Sequence, residues 1–425
     1  MARQMKDSGV EWIGQIPEDW DVARLCDIKS EKKFAIVDGP FGSAISTNDY
    51  REKGVPLIRI SNLKNGEVSD EDMVYISEEL AESVRRSCIG LSDIVFAKTG
   101  ATIGKCGINR LIKYGILASS CIKISISHKY NCDYFYYIFS TDQFNQALRN
   151  TCTGTTRDTI NLTPFSKLNV LLPPYCIQNR IASYLDRKCR QIDAIIARQQ
   201  EAIERLKSYK LSKINEIIIE VEGVTAHLGY VANMKNGLNF NMATDGKTLK
   251  FLGVGDFKDY YVLDSEEMFS DILIDTEIDS DYMIQSGDIV FVRSNGSKEL
   301  VGRAVMVENV TFPLSYSGFC IRLRNLRTDI LNSKYLLYFF RSPYFRKQLE
   351  KYSQGSNITN INQVILSQIP IIIPPVEVQL KAIRKVEKML AAIDKLIKGK
   401  QEIISSLERY KKSLIYEVVT GKKEV

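Results

Sequence analysis

The residues of this chain that could do chemistry lie in loops, and they are hydrogen-bond donors and acceptors rather than acid–base pairs or metal ligands. Three loops stand in the first half: Gly39-Pro40-Phe41-Gly42-Ser43, Lys98-Thr99-Gly100 with Lys105, and Thr153-Gly154-Thr155-Thr156-Arg157. Three stand in the second: Lys235-Asn236-Gly237, Arg293-Ser294-Asn295 with Ser297-Lys298, and Gln354-Gly355-Ser356-Asn357. Such loops suit the edges of base pairs. Arg and Lys donate to guanine, Asn and Gln bond adenine, and small residues let the backbone approach phosphate. The same residue types also build ordinary solvated turns, so both readings stand for any single loop residue.

Catalytic motifs fail on physical grounds. Gly100-x-x-x-Gly104-Lys105-Cys106 is one residue short of a phosphate-binding loop and lacks the Ser or Thr that would hold magnesium. Leu172-Pro173-Pro174-Tyr175 has the outline of the Asn/Asp-Pro-Pro-Tyr/Phe element of amino-group DNA methyltransferases, but Leu172 cannot accept a hydrogen bond from a target amine. Its counterpart Ile373-Pro374-Pro375-Val376 loses the aromatic as well. No Gly-rich strand-to-helix turn suits S-adenosylmethionine. The two histidines, His128 and His227, lack metal-binding neighbours, which disfavours zinc sites and histidine triads. The chain reads as non-catalytic, with no cofactor of its own.

Composition narrows the class further. A length of 425 residues allows two to four domains. The net charge of +6 is modest, so nucleic-acid binding requires basic residues concentrated on particular surfaces. Nine scattered cysteines without a CxxC, and no secretory leader, point to reduced thiols in a cytoplasm. No apolar run reaches the ~20 residues of a membrane span.

The elements that must position the loops are written twice. Gln178-Asn179-Arg180-Ile181 and Gln379-Leu380-Lys381-Ala382 open two copies at an offset of 201 (379 − 178). At that offset Asp193 meets Asp394, Gln200-Glu201 meets Gln401-Glu402, Tyr209-Lys210 meets Tyr410-Lys411, and Glu216 meets Glu417. Pro173-Pro174 and Pro374-Pro375 stop a strand and set up a helix start. Leu185, Cys189, Ile192, Ile196, Gln199, Ile203 and Leu206 then step by fours and threes. Val386, Leu390, Ile393, Ile397, Lys400, Ile404 and Leu407 repeat the pattern. This heptad predicts two long helices paired as a coiled coil, with Gln199 and Lys400 as polar seam residues that fix register. The other reading of the pattern is an amphipathic helix lying on a globular core.

Before each helix lies a strand-rich stretch of one plan. Val55-Pro56-Leu57-Ile58-Arg59-Ile60 and Asp93-Ile94-Val95-Phe96 are β-prone, and Ile122 to Ile126 alternates as a half-buried strand should. A helix from Cys132 to Arg149 follows, its aromatics Tyr136, Tyr137, Phe139 and Phe144 read as core. Ser286-Gly287-Asp288-Ile289-Val290-Phe291 answers Leu91 to Phe96, and Tyr335 to Leu349 answers the aromatic helix. The frame is shared while the loops diverge, which implies two related ligands. Lys98 and Arg293 are the preferred contacts because they occupy matching places.

With its opening Trp12-Ile13-Gly14-Gln15-Ile16-Pro17, a segment read as packing, the chain resembles a specificity subunit of type I restriction-modification systems over essentially its whole length. The resemblance implies an α+β fold: two strand-rich globular target-recognition domains joined by two long helices that form an antiparallel coiled coil, an internal pseudo-twofold duplication. The expected divisions are residues 1–174, 175–222, 223–375 and 376–425. In the family, the loops after the Asp-Ile-Val-Phe strand and the Gly-rich loop before the long helix lie near DNA. The implied function is to read a bipartite, asymmetric site in double-stranded DNA without catalysing anything. Two methyltransferase subunits, which would bind S-adenosylmethionine, dock on the helices, and endonuclease-translocase subunits join them. Arg187, Lys188, Glu204 and Lys207 are candidate docking positions, although a solvated helix face has the same composition. A stand-alone enzyme, or a coiled-coil adaptor that binds only protein, are the rival readings.

Overall fold

Two helices of near-equal length dominate the computed structural model: Tyr175–Ile219 with 45 residues and Val376–Val419 with 44. The structure describes residues 4–152, 158–239, 246–297, 299–353 and 360–425. Each long helix starts directly after a Pro-Pro pair that follows a strand, Asn169–Leu172 or Pro370–Ile373. The carbonyl of Pro174 accepts the amides of Ile177 and Gln178, and that of Pro375 accepts those of Val378 and Gln379. The prolines thus end the strand ladder and begin the helical bonding at once. No helix among the described residues is long and apolar enough to cross a membrane.

The chain folds into two compact units, residues 1–198 with 403–425 and residues 199–402. Each unit takes part of both long helices. In the first, the two run antiparallel: Lys411 Nζ donates to both carboxylate oxygens of Asp193 at 2.7 Å. At the other end of that pairing, Tyr134 Oη reaches the carbonyls of Leu171 at 3.4 Å and Val419 at 3.3 Å. In the second unit, Lys210 Nζ donates to Asp394 Oδ1 at 2.8 Å, and Tyr335 Oη donates to Ile218 O at 2.8 Å. The two ion pairs are the same pair under the 201 offset, with donor and acceptor exchanged.

The expected seam is where the helices bury. Leu185, Cys189 and Ile192 lie in the core of the first unit, Val386, Leu390 and Ile393 in that of the second. Full burial of each aliphatic side chain stabilises by roughly 1.5–3 kcal/mol. The polar seam positions also meet, since Lys400 Nζ donates to Gln199 Oε1 at 3.0 Å.

Each unit carries a larger mixed sheet, and the two share a common strand order. In the first the strands run Ile36–Asp38, Cys121–Ser125, Asp93–Ala97, Cys106–Ile108, Glu67–Val68, Leu63–Lys64. In the second they run Ala232–Asn236, Cys320–Asn325, Ile289–Val292, Ala304–Val307, Val262–Leu263. A smaller sheet lies beside each, around Val55–Ile58 and Lys247–Leu252. The opening segment is packing, with Ile13, Ile16 and Trp20 buried in the first core and Trp12 edge-on to Phe144.

Two expectations require correction. Cys121–Ser125 is buried along its whole length rather than on one face, because it is an interior strand covered on both sides. Its polar residues survive burial through Asp93, which takes Lys123 Nζ at 2.7 Å and the Ser125 hydroxyl. The aromatic helix is two helices, Cys132–Phe139 and Asp142–Asn150. Thr141 breaks the run by capping the second, its Oγ1 accepting Phe144 N at 3.2 Å. Ser342 does the same for Pro343–Tyr352. The aromatics themselves are core as expected, with Tyr137, Phe139 and Phe144 buried and Tyr136 packed against them.

Candidate nucleic-acid interface

Sheet register places the preferred residues identically in the two units. Asp38 and Phe96 both stand opposite Ile122 on the interior strand; Asn236 and Phe291 both stand opposite Ile321. Lys98 and Arg293 each follow that phenylalanine by two residues. Their backbones are held alike. Lys98 N donates to Ser120 O and Arg293 N to Phe319 O, both at 2.7 Å. Their carbonyls accept Ile160 N at 3.0 Å and Ile361 N at 2.9 Å. The edge strands Ile36–Asp38 and Ala232–Asn236 are each followed by a glycine for a steric reason. A Cβ on Gly39 would lie 1.9 Å from Ala118 O, and one on Gly237 2.2 Å from Ser317 O.

The side chains differ where the frame does not. Lys98 Nζ donates to Asp38 Oδ2 at 2.6 Å, with both side chains largely covered. In the matching place, Asn236 Oδ1 and Arg293 Nε are buried without a hydrogen-bond partner among the described residues. Lys235 is engaged elsewhere, donating to Asp281 Oδ2 at 3.1 Å and lying 3.9 Å above the Tyr282 ring. This hydrogen bond and charge hold the Asp281 carboxyl below the usual carboxylate range.

The remaining candidates fall around these centres. Gly42 and Ser43 are exposed in a turn closed by Ala44 N to Phe41 O at 2.8 Å. Thr99 bridges to Thr159, and Gly100 opens a short 3-10 turn with its amide on Asp158 O. Lys105 is exposed just before the strand Cys106–Ile108. That strand, where a phosphate loop would need a helix, disposes of the P-loop likeness. Ser294 bridges to Asn360, and Asn295 Oδ1 accepts Ser297 N at 2.8 Å in an Asx turn. Thr155, Thr156, Arg157, Lys298, Gln354, Ser356 and Asn357 lie outside the described residues.

Among the docking candidates, Arg187 is exposed over the Tyr184 ring and Lys188 is half-buried. Glu204 and Lys207 form an exposed pair at 2.9 Å. Lys207 also lines a cleft of about 930 Å³ within the second unit, together with Lys210, Arg341 and Asp394.

Three features escaped the sequence reading. One is Asp38 as partner of Lys98. Another is a pair of exposed phenylalanines, Phe41 and Phe319, beside the two loop clusters. The last is an apolar stripe on the long helices away from the seam. Ile195, Ile403 and Tyr410 are exposed in the first unit; Tyr209 and Leu396 are exposed in the second. Ile195 matches Leu396 and Tyr209 matches Tyr410 at the 201 offset, and Leu396, Ile403 and Tyr410 step by seven, a periodicity that was available in the sequence.

Comparison with known proteins agrees with this duplicated design. The family model described as the type I restriction modification DNA specificity domain matches residues 17–205 and again 224–408. The chain is 22% identical to the StySPI specificity subunit of Salmonella potsdam, over 96% of this chain and 90% of that one. It is 23% identical to the EcoKI specificity subunit of Escherichia coli K12, with the same coverage. In structure it resembles a chain from work on complex assembly and conformational transition of the type I R-M system. There the TM-score is 0.71 at 15% identity, over 96% of this chain and 99% of that one. The HsdS subunit from Thermoanaerobacter tengcongensis gives a TM-score of 0.51 at 16% identity, over 96% and 98%. Two successive matches that take in most of the chain carry the conclusion: this protein belongs to the type I restriction modification DNA specificity domain family.

Proposed function

We propose that each strand-rich domain reads one half of a bipartite, asymmetric site in double-stranded DNA, and that the long helices set the gap between the halves. One observation carries this reading. The same frame, in the same register, presents different donors and acceptors in its two copies: Lys98 bonded to Asp38 in one, Arg293 and Asn236 at the matching register positions in the other. A 45-residue helix extends roughly 68 Å at 1.5 Å per residue, about two turns of DNA at ~34 Å each. The chain has no catalytic part in this reading. It acts in the cytoplasm and delivers partners to the sequence: two methyltransferase subunits, which bind S-adenosylmethionine, and the endonuclease-translocase subunits.

The exposed apolar stripe supports two like partners. Each unit offers one set, Ile195 with Ile403 and Tyr410, or Leu396 with Tyr209. A heptad stripe outside the seam suits an added helix better than it suits water. Arg187, Lys188, Glu204 and Lys207 would then act as polar rim.

Selection of bound duplexes from a random library, with and without the methyltransferase, tests the reading. Two unlike short consensus elements are expected. Protein capture without any preferred DNA sequence would favour an adaptor instead.

A further inference from the structure

We infer that the base-reading centre of each domain is a matched dyad, Asp38 with Lys98 in the first and Asn236 with Arg293 in the second, whose different chemistry makes the two half-sites unlike. This rests on the reading of the chain as a DNA-sequence reader and names the residues that discriminate.

Position comes first. Asp38 and Asn236 end edge strands paired to the interior strand at Ile122 and Ile321. Lys98 and Arg293 leave the neighbouring strand on its other side, two residues beyond the phenylalanine opposite those same isoleucines. Each dyad thus straddles one strand at one level of the sheet. An exposed phenylalanine flanks each: Phe41, three residues past Asp38, and Phe319, whose carbonyl receives Arg293 N.

Chemistry then separates them. In the first dyad a carboxylate lies 2.6 Å from the ammonium. A carboxylate repels phosphate, so Asp38 is unsuited to the DNA backbone. It orients Lys98 through Oδ2, and among the described residues no hydrogen bond is made to Oδ1, which can accept. An acceptor beside a donor matches a C·G pair in the major groove, where cytosine N4 donates and guanine O6 and N7 accept. In the second dyad the carboxylate is replaced by an amide, and the cation is a guanidinium. Asn236 Oδ1 and Arg293 Nε are both buried and, among the described residues, unpartnered. Both atoms face the protein rather than its surface, so what this dyad offers a base edge is the terminal nitrogens of Arg293 and the amide nitrogen of Asn236. The terminal nitrogens of an Arg pair bidentately with guanine, so this dyad reads a guanine.

The test is a reciprocal graft, read by selection from a random duplex library with the full chain co-purified with the methyltransferase subunits of its own system. One variant carries Asp38→Asn with Lys98→Arg, the other Asn236→Asp with Arg293→Lys. Each is expected to change the preferred base pair at one position of one half-site, by roughly 5- to 150-fold in relative affinity, and to leave the other half unaltered. Unchanged consensus in both variants overturns the inference while leaving the chain a sequence reader. Uniform weakening across all sequences also overturns it, because the dyads would then hold phosphate or only the fold. A wild type that selects no consensus removes the underlying function and the inference with it. Should one graft fail to fold, the other decides.

Discussion

Gln178 holds Asn131: the backbone N–H of Asn131 donates to Gln178 Oε1 at 2.9 Å, and Asn332 donates to Gln379 Oε1 at the same distance. Each glutamine is buried and also donates through Nε2, to Pro173 O at 2.8 Å or Pro374 O at 2.7 Å. One amide therefore ties the Pro-Pro turn and the start of a long helix to the N-cap of an aromatic helix. Asn131 and Asn332 are those caps, accepting Tyr134 N and Lys334 N. The clamp fastens a recognition domain to its helix, and the chain builds it twice.

Gln178→Leu keeps the volume but strands a buried N–H and a buried carbonyl, each worth about 1–3 kcal/mol. Gln178→Glu is expected to be worse, since a carboxylate cannot donate to Pro173 O and brings charge into the site. Urea denaturation of the full chain should show both losses, with Gln379→Leu costing at least as much as Gln178→Leu because Gln379 Nε2 also donates to Ile330 O at 2.7 Å. A change below ~0.5 kcal/mol, as at an ordinary surface position, would remove the clamp from the account.

The buried Asp93–Lys123 pair makes an asymmetric prediction. Asp93→Ala leaves a buried ammonium and is expected to cost about 3–5 kcal/mol. Adding Lys123→Met should restore most of that stability. If the double variant is as unstable as the single, charge burial is not the cause.

The seam pair Gln199–Lys400 is expected to trade stability for register. Leu at both positions should raise the denaturation midpoint and weaken the preference for one gap between half-sites. Four residues inserted into Tyr175–Ile219 should change that gap or abolish assembly. An unchanged gap after the insertion would remove the helices as the spacing element.

Thiol chemistry follows burial. Burial pushes Cys106, Cys121 and Cys320 up to about 12, while Cys176 is exposed. Because the thiolate is the reactive form, alkylation of the native chain at pH 8 should mark Cys176 and spare those three. The same shift ties stability to pH. The unfolded chain ionises these thiols near ~8.5 and the folded chain does not, so stability should fall as pH rises from there toward 12. Equal labelling of all four cysteines in the native state would contradict this packing.

Arg293→Ala is expected to cost ~1–3 kcal/mol in binding, confined to one half-site. Fluorescence anisotropy with duplexes altered in one half at a time would measure it. An equal loss for every duplex would make Arg293 a phosphate contact.

The duplication was readable in the sequence because a heptad tolerates no insertion, so Asp193 and Asp394 stay aligned with Lys210 and Lys411 at one offset. Lys98 and Arg293 stand at a different offset, 195 (293 − 98), and could be matched only through the similar strands that precede them. The Lys98–Asp38 pair could not, because its members lie 60 residues apart and meet only through sheet register. Thr141 and Ser342 carried cap signals that the aromatic run around them masked. The burial of Lys123 ran against its polarity, since nothing local reveals that its strand lies inside a sheet. Ile195, Tyr209, Leu396, Ile403 and Tyr410 were legible as a second heptad stripe, hidden by attention to the seam.

The distribution of gap lengths between half-sites in duplexes selected by the full chain tests the central claim most directly. Two unlike consensus elements at one constant gap are predicted, because two different loop sets stand on copies of one frame joined by fixed helices. A single element, or two elements at freely varying gaps, would contradict it.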